Sequence, residues 1–178
     1  DYKGVVTATG TGTTYIKVYN KQYDGYAAVK VRVNGEQGRT AAKIVGGGNH
    51  FVALKANGEV WTWGYNGYGQ LGIGNTETKN RPTKTNIYNS KDETQSTYAI
   101  DVAAGYSHTL VLKSDGTVWA AGYNEYGQLG DSSTTNTSEF VQVTGIPEKV
   151  IAITAGGHSS YALTESGKVY GWGYNYEG

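Results

Sequence analysis

Residues Ile44–Gly72 read IVGGGNHFVALKANGEVWTWGYNGYGQLG, and the pattern returns as Val102–Gly130, VAAGYSHTLVLKSDGTVWAAGYNEYGQLG. A third copy opens at Ile153 with ITAGGHSSYALTESGKVYGWGYNYEG. The matches keep their order: Gly47 with Gly105, His50 with His108, Leu54 with Leu112, Trp61 with Trp119, Gln70 with Gln128, Gly72 with Gly130. His108 follows His50 by 58 residues, and Gly167 follows Gly116 by 51. A period of that length suits the blades of a β-propeller better than helical repeats. The unit boundaries are read as 44–101, 102–152 and a partial 153–178.

Each copy carries its own hairpin. Phe51–Lys55 and Glu59–Gly64 alternate apolar and polar residues on either side of Ala56-Asn57-Gly58. Asn-Gly between alternating runs is a strong hairpin signal, and in its tightest form both central residues need positive φ. Asp115-Gly116 and Ser166-Gly167 occupy the same place in the later copies. Alternation along the second hairpin strand puts Trp61 and Trp63 on one face, Val60 and Thr62 on the other. The corresponding pairs are Trp119/Ala121 against Val118/Ala120, and Tyr170/Trp172 against Val169/Gly171. One bulky and one slighter face per sheet suits face-to-face stacking, with the aromatic positions expected to dominate it. Polar loops follow at 73–80 and 131–136, then outer-strand candidates at 83–88 and 139–144. The first copy's extra residues are placed in the polar loop Tyr88–Thr97, expected to be exposed.

Composition agrees with an all-β class. The 178 residues include 27 Gly and 16 Tyr but only 2 Pro, and no stretch sustains helical periodicity. Formal net charge is zero, and no basic stripe is visible that would neutralise a phosphate backbone, so nucleic acid is not an expected partner. No run approaches the length of a membrane-spanning helix, which argues against direct membrane insertion. With no cysteine, disulfides and thiolate metal sites are excluded.

Upstream of the repeats, Thr14–Tyr19 and Ala28–Val33 alternate as strands around a turn at Asp24-Gly25. Residues 1–33 are read as two or three antiparallel strands, and the polar segment 34–43 as a linker. The stretch GVVTATGTGTTYI, with Val29, Val31 and Val33 in the last strand, resembles the C-terminal half of a group 2 bacterial immunoglobulin-like domain. That resemblance implies the closing strands of a β-sandwich whose first half lies before Asp1.

The repeat pattern G-x-x-H-x-x-x-L-x-x-[ND]-G-x-V-W-x-x-G-x-N-x-Y-G-Q-L-G resembles the regulator of chromosome condensation repeat, over about residues 41–178. The resemblance implies a seven-bladed β-propeller, of which this chain holds about two and a half blades. A full ring needs on the order of 350 residues, so the expected architecture is an incomplete ring completed by further sequence or further copies. In the third copy Ser159 takes the His position, with His158 beside it.

No residue pattern supports catalysis, a cofactor or a metal. His50 and His108 sit once per blade, without the convergent ligands a metal needs, and are read as structural hydrogen-bonders. Trp61, Trp119, Gly72 and Gly130 are read as scaffold. Gln70 and Gln128 lie in a glycine-rich loop with no helix behind it, so they are read as tying loops to backbone rather than cradling phosphate. The residues with a possible contact role are Tyr65, Tyr123 and Tyr174, joined by Tyr88, Asp92 and Glu93 of the inserted loop. Rigid amphipathic tyrosines on a rim suit protein or glycan contacts, and packing is the competing reading.

The expected function is therefore a non-enzymatic repeat protein, extracellular or on a bacterial cell surface. It would bind a protein or cell-surface glycan through rim loops. The alternatives are a structural subunit assembling with further copies of itself into a fibre or surface layer, and a secreted protein inhibitor of an enzyme. A guanine-nucleotide exchange factor is disfavoured by the neutral charge and the attached immunoglobulin-like segment.

Overall fold

The computed structural model describes residues 12–20, 25–33, 40–87 and 97–176, the first two segments as backbone only. The chain divides into two compact units, 1–37 and 38–178. In the first, β1 (Gly12–Asn20) pairs antiparallel with β2 (Gly25–Val33) from Gly12↔Val33 to Asn20↔Gly25. A facing sheet, as a sandwich requires, is not among the described residues. The expected turn lies partly outside them, as do linker residues 34–39.

The second unit is three antiparallel sheets taken in chain order. The first is β3 (Lys43–Gly46), β4 (His50–Leu54), β5 (Val60–Gly64) and β6 (Lys79–Lys84). The second is β7 (Ala99–Ala104), β8 (His108–Lys113), β9 (Val118–Gly122) and β10 (Thr137–Gln142). The third is β11 (Val150–Gly156), β12 (Ser159–Thr164) and β13 (Val169–Gly173). Strand β7 touches β3 and β4, and β11 touches β7 and β8, so successive sheets meet through their first two strands. Each of the three is a meander, with chain neighbours paired in order, as a propeller blade is built.

Several boundaries move. The divisions at Val102 and Ile153 cut through β7 and β11, which begin earlier, at Ala99 and Val150. A bulge between Ala99 and Asp101, repeated between Val150 and Ala152, breaks the alternation there and hides the strand starts. The outer strands likewise begin at Lys79 and Thr137, inside or just after the segments read as polar loops, because edge strands carry polar side chains. Lys43, read as linker, opens β3.

The hairpin turns differ from the two-residue form. Lys55 and Gly58 close a turn with the Gly58 N–H donating to the Lys55 carbonyl at 2.8 Å, and the Lys55 N–H donates to the Glu59 carbonyl at 2.9 Å. Only the glycines take left-handed backbone, at φ 86° for Gly58 and Gly116 and 85° for Gly167. This is a three-residue loop, a turn followed by one left-handed residue, which relieves Asn57, Asp115 and Ser166 of positive φ. Asn57 and Asp115 instead use their side chains, which accept from the N–H of Glu59 at 3.1 Å and of Thr117 at 2.9 Å.

The core lies between the sheets. Between first and second it contains Val52, Leu54, Val60, Val102, Val111, Ala121 and Phe140, with Trp119 at its margin. Between second and third it contains Leu110, Leu112, Val118, Ala120, Leu129, Ile153 and Ala162, with Trp172 at its margin. At both junctions the bulky face of the later sheet lies on the slighter face of the earlier one. Aliphatic side chains fill the centres, and Trp119 and Trp172 are only partly buried, contrary to the expectation that aromatic rings dominate. An indole nitrogen keeps a ring near a polar partner: Trp119 Nε1 donates to Thr117 Oγ1 at 3.0 Å, and Trp172 Nε1 to the Gln128 carbonyl at 2.9 Å. Trp61 and Trp63 are on the open face of the first sheet.

Candidate functional site

Antiparallel register brings the histidine strand's start beside the end of the next strand, with His50 opposite Gly64 and His108 opposite Gly122. One rim of the stack is therefore built from two short segments per sheet. Backbone bonds stitch it together: the Gly48 N–H donates to the Tyr106 carbonyl at 3.0 Å, and the Tyr106 N–H to the Gly157 carbonyl at 2.7 Å.

Beneath the rim, each histidine reaches into the next sheet. His50 Nε2 lies 2.9 Å from Thr109 Oγ1, whose own proton goes to the Gln70 carbonyl at 2.7 Å. His108 Nε2 lies 2.9 Å from Ser160 Oγ, which donates to the Gln128 carbonyl at 2.8 Å. Because each hydroxyl spends its proton on the glutamine carbonyl, the imidazole must donate from Nε2, leaving Nδ1 unprotonated. Both Nδ1 atoms are buried with no hydrogen-bond partner among the described residues, packed toward Gly47 and Gly105. Charging these rings would bury a proton with nothing to receive it. Burial lowers His50 from 6.5 to about 4, and burial with repulsion from His50 and His158 lowers His108 to about 3. These neutral, fully enclosed rings join one sheet to the next.

The glutamines close the loops. Gln70 Oε1 accepts from the Tyr68 N–H at 3.1 Å, and Gln128 Oε1 from the Tyr126 N–H at 3.0 Å. Asn66 and Asn124, which drew no role from the sequence, are fully buried in the same loops. Asn66 Oδ1 accepts from the Leu71 N–H, and its amide donates to the Asn75 carbonyl at 2.8 Å. Asn124 repeats the contact with Leu129, so the loop runs as a built element around a buried amide.

On that base stands a continuous arc of tyrosines. Tyr65 meets Tyr68 (centroids 6.1 Å), Tyr68 meets Tyr123 (5.0 Å), Tyr123 meets Tyr126 (6.0 Å), Tyr126 meets Tyr174 (4.9 Å) and Tyr174 meets Tyr176 (6.2 Å). All contacts but the last are edge-to-face, the preferred aromatic geometry. His158 sits among Tyr106, Tyr123 and Tyr126 at 5.7, 5.5 and 5.3 Å. Tyr65, Tyr68, Tyr106, Tyr126, Tyr174 and Tyr176 are nevertheless exposed. Tyr123 donates its hydroxyl to Glu125 at 2.8 Å, and that bond pushes the phenol up to about 12.

The structure thus brings Tyr65, Tyr123 and Tyr174 together and adds Tyr68, Tyr106, Tyr126, Tyr176 and His158. Packing and exposure coexist, since each ring props its neighbour while presenting surface. Tyr106 and His158 were missed because they belong to the turn before the histidine strand. Their signal was the register: His158 lies beside Tyr174, whose N–H donates to its carbonyl at 3.0 Å. Tyr88, Asp92 and Glu93 lie outside the described residues. Among the described residues no group of three or more His, Cys, Asp or Glu side chains converges as a metal site would.

A family model for the regulator of chromosome condensation (RCC1) repeat matches residues 57–112 and 115–163, and a second of the same description matches 41–70, 99–128 and 150–178. The chain belongs to the RCC1 repeat family. The three sheets of the second unit are RCC1 blades, each contributing to the rim described above. Similar curated proteins include the human E3 ubiquitin-protein ligase HERC2, 29% identical over 88% of this chain and 3% of that protein. The ultraviolet-B receptor UVR8 of Arabidopsis thaliana is 29% identical over 82% of this chain and 32% of its own length. The human X-linked retinitis pigmentosa GTPase regulator is 33% identical over 74% and 12%. The chain spans no more than a third of each. Among solved structures, human WBSCR16 superposes with a TM-score of 0.66 at 24% identity, covering 88% of this chain and 38% of that one. Yeast RCC1 (Prp20), solved bound to Kap60, gives 0.64 at 19%, covering 89% and 37%. These likenesses establish the propeller-blade fold.

Proposed function

We propose that this chain is the binding part of a non-enzymatic RCC1-type propeller that grips another macromolecule, a protein before a glycan, with its tyrosine rim. The observation that carries the reading is the arc itself: tyrosines in ring contact without a break across all three blades, all of them exposed but the half-buried Tyr123. Such rings supply large contact area at low entropic cost and dominate binding hot spots. Two of the three histidines, His50 and His108, are spent on joining blades, and the third, His158, packs among the rim tyrosines as part of the contact surface. That yeast RCC1 was solved with Kap60 supports a protein as the partner class. The β1–β2 hairpin and its immunoglobulin-like sequence support a place outside the cell, on a bacterial surface.

The test is capture of partners from host and cell-wall extracts by the chain and by a Tyr65→Ala, Tyr123→Ala, Tyr174→Ala variant. Hot-spot truncation of this kind should lower affinity by about thirtyfold or more. Lys55→Ala, at the opposite end of the same strands, should capture as the wild type does. Equal capture by the triple variant would overturn the reading.

A further inference from the structure

Beyond contact area, the rim tyrosines offer electron-rich ring faces, and such a face attracts a cation. The protein already uses this attraction at the far end of the same strands. There Lys55 Nζ lies 5.4 Å from the centre of the Trp61 ring, and Lys113 Nζ 4.2 Å from that of Trp119. Lys43, Lys149 and Lys168 stand at that end too, at or just before the starts of β3, β11 and β13.

The rim has rings and no cation of its own. The segments that build it, 47–50, 64–70, 105–108, 122–128, 156–159 and 173–176, contain no lysine or arginine. Lys79 shares that end of the first sheet, opposite Gly64 in the outer strand, but Glu77 holds its ammonium at 2.7 Å. Among the described residues no lysine or arginine lies over a rim tyrosine. His158 does not fill the place either. Gln128 Oε1 accepts from the Tyr126 N–H, so the Gln128 amide nitrogen is the donor to His158 Nδ1, at 3.4 Å. An accepting Nδ1 leaves the imidazole uncharged among Tyr106, Tyr123 and Tyr126.

Histidine aside, the ionisable side chain that those segments carry besides tyrosine is Glu125. Its carboxylate accepts the Tyr123 hydroxyl at 2.8 Å, which keeps a negative charge at the rim and polarises the phenol. The Tyr68–Tyr123 and Tyr126–Tyr174 pairs, at 5.0 and 4.9 Å, each bridge two neighbouring blades. These rings stand over closed junctions, and further blades extend a stack through its faces rather than over its rim.

Resting on the reading of this rim as a contact surface, we propose that its partner is a protein segment presenting cationic side chains, arginine before lysine, to the tyrosines around Tyr123, Tyr126 and His158. A planar, weakly hydrated guanidinium stacks on aromatic faces in a way an ammonium does not. Glu125 supplies the counter-charge, and two equivalent junctions one blade apart suit a segment with more than one such residue.

Fluorescence anisotropy of the full chain with a labelled peptide alternating arginine and glycine tests this, beside the same peptide carrying citrulline. Citrulline keeps the shape of arginine and removes its charge. The arginine peptide should bind about tenfold more tightly. Tyr126→Leu and Tyr106→Leu should each weaken it about two- to fivefold, and Glu125→Gln by a similar factor. Tyr126→Phe, which keeps the ring, should restore binding. Circular dichroism and melting of each variant check that the blades are intact. Equal binding of the two peptides would overturn the proposal, as would no binding of the arginine peptide. Binding that both leucine variants leave unchanged would also overturn it. The contact surface itself is judged separately, by capture with the Tyr65→Ala, Tyr123→Ala, Tyr174→Ala variant. Capture lost in that variant, yet competed equally by both peptides, removes the cation and keeps the rim; capture retained removes both.

Discussion

The junction between the second and third blades and the open face of the first blade are made from equivalent positions with opposite surroundings. At the junction, Ile153 is buried and Ser160 holds His108; at the open face, Ile44 stands in solvent and Phe51 stacks on Trp63. The same repeat position is therefore core in one blade and surface in another. What changes is the neighbour, since a blade buries its apolar face only against another blade.

Acid should expose that difference most strongly. The unfolded histidines titrate near 6.5, whereas His50 and His108 in the fold resist protons down to about 4 and about 3. Their contribution is complete above pH 6.5 and is lost as pH falls, because the unfolded chain takes up protons the native rings refuse. The loss from His50 ends near pH 4 and that from His108 near pH 3. Denaturant melts across that range should lose several kcal/mol in all, since each pH unit between the folded and unfolded titrations of one ring is worth about 1.4 kcal/mol. In His108→Gln the slope below pH 4 should flatten; an unchanged profile would break the account of the buried rings.

Leu110→Ala opens a cavity at the closed junction and should cost about 2–5 kcal/mol, read as a lower denaturation midpoint. Gly105→Ala is next. A Cβ there would lie 2.1 Å from His108 Cε1, so about 1–3 kcal/mol should be lost through overpacking. Gly156, its counterpart in the blade that lacks the histidine, has nothing within 4 Å, and Gly156→Ala should leave the melting temperature unchanged. Equal effects at the two glycines would contradict the pairing of glycine with imidazole. The smallest change should come from Phe51→Ala, within about 0.5 kcal/mol, because half its ring is already wet.

Much of this could be read along the chain. Three copies of one hairpin, with glycine after Asn57, Asp115 and Ser166, pointed to the sheets and their order, because turn chemistry is local. The strand starts at Ala99 and Val150 were not legible, since a bulge interrupts the period that reveals a strand. Tyr65, Tyr123 and Tyr174 could be named from their place after the hairpin, yet nothing linear joined Tyr68 to Tyr123, which belong to different blades. In the linear chain His158 is only the neighbour of Ser159; its position among three tyrosines depends on the approach of neighbouring loops.

Spacing, alternation and turn residues within one blade are enough to give the repeat, its all-β class and the family, and all three are written in the linear chain. That Ile44 and Val102 have opposite fates, that His50 serves Thr109, and that separate tyrosines form one rim became visible only once the blades were stacked. Each of those depends on which surface of one blade meets the next, and stacking is a property of the pair rather than of either sequence segment.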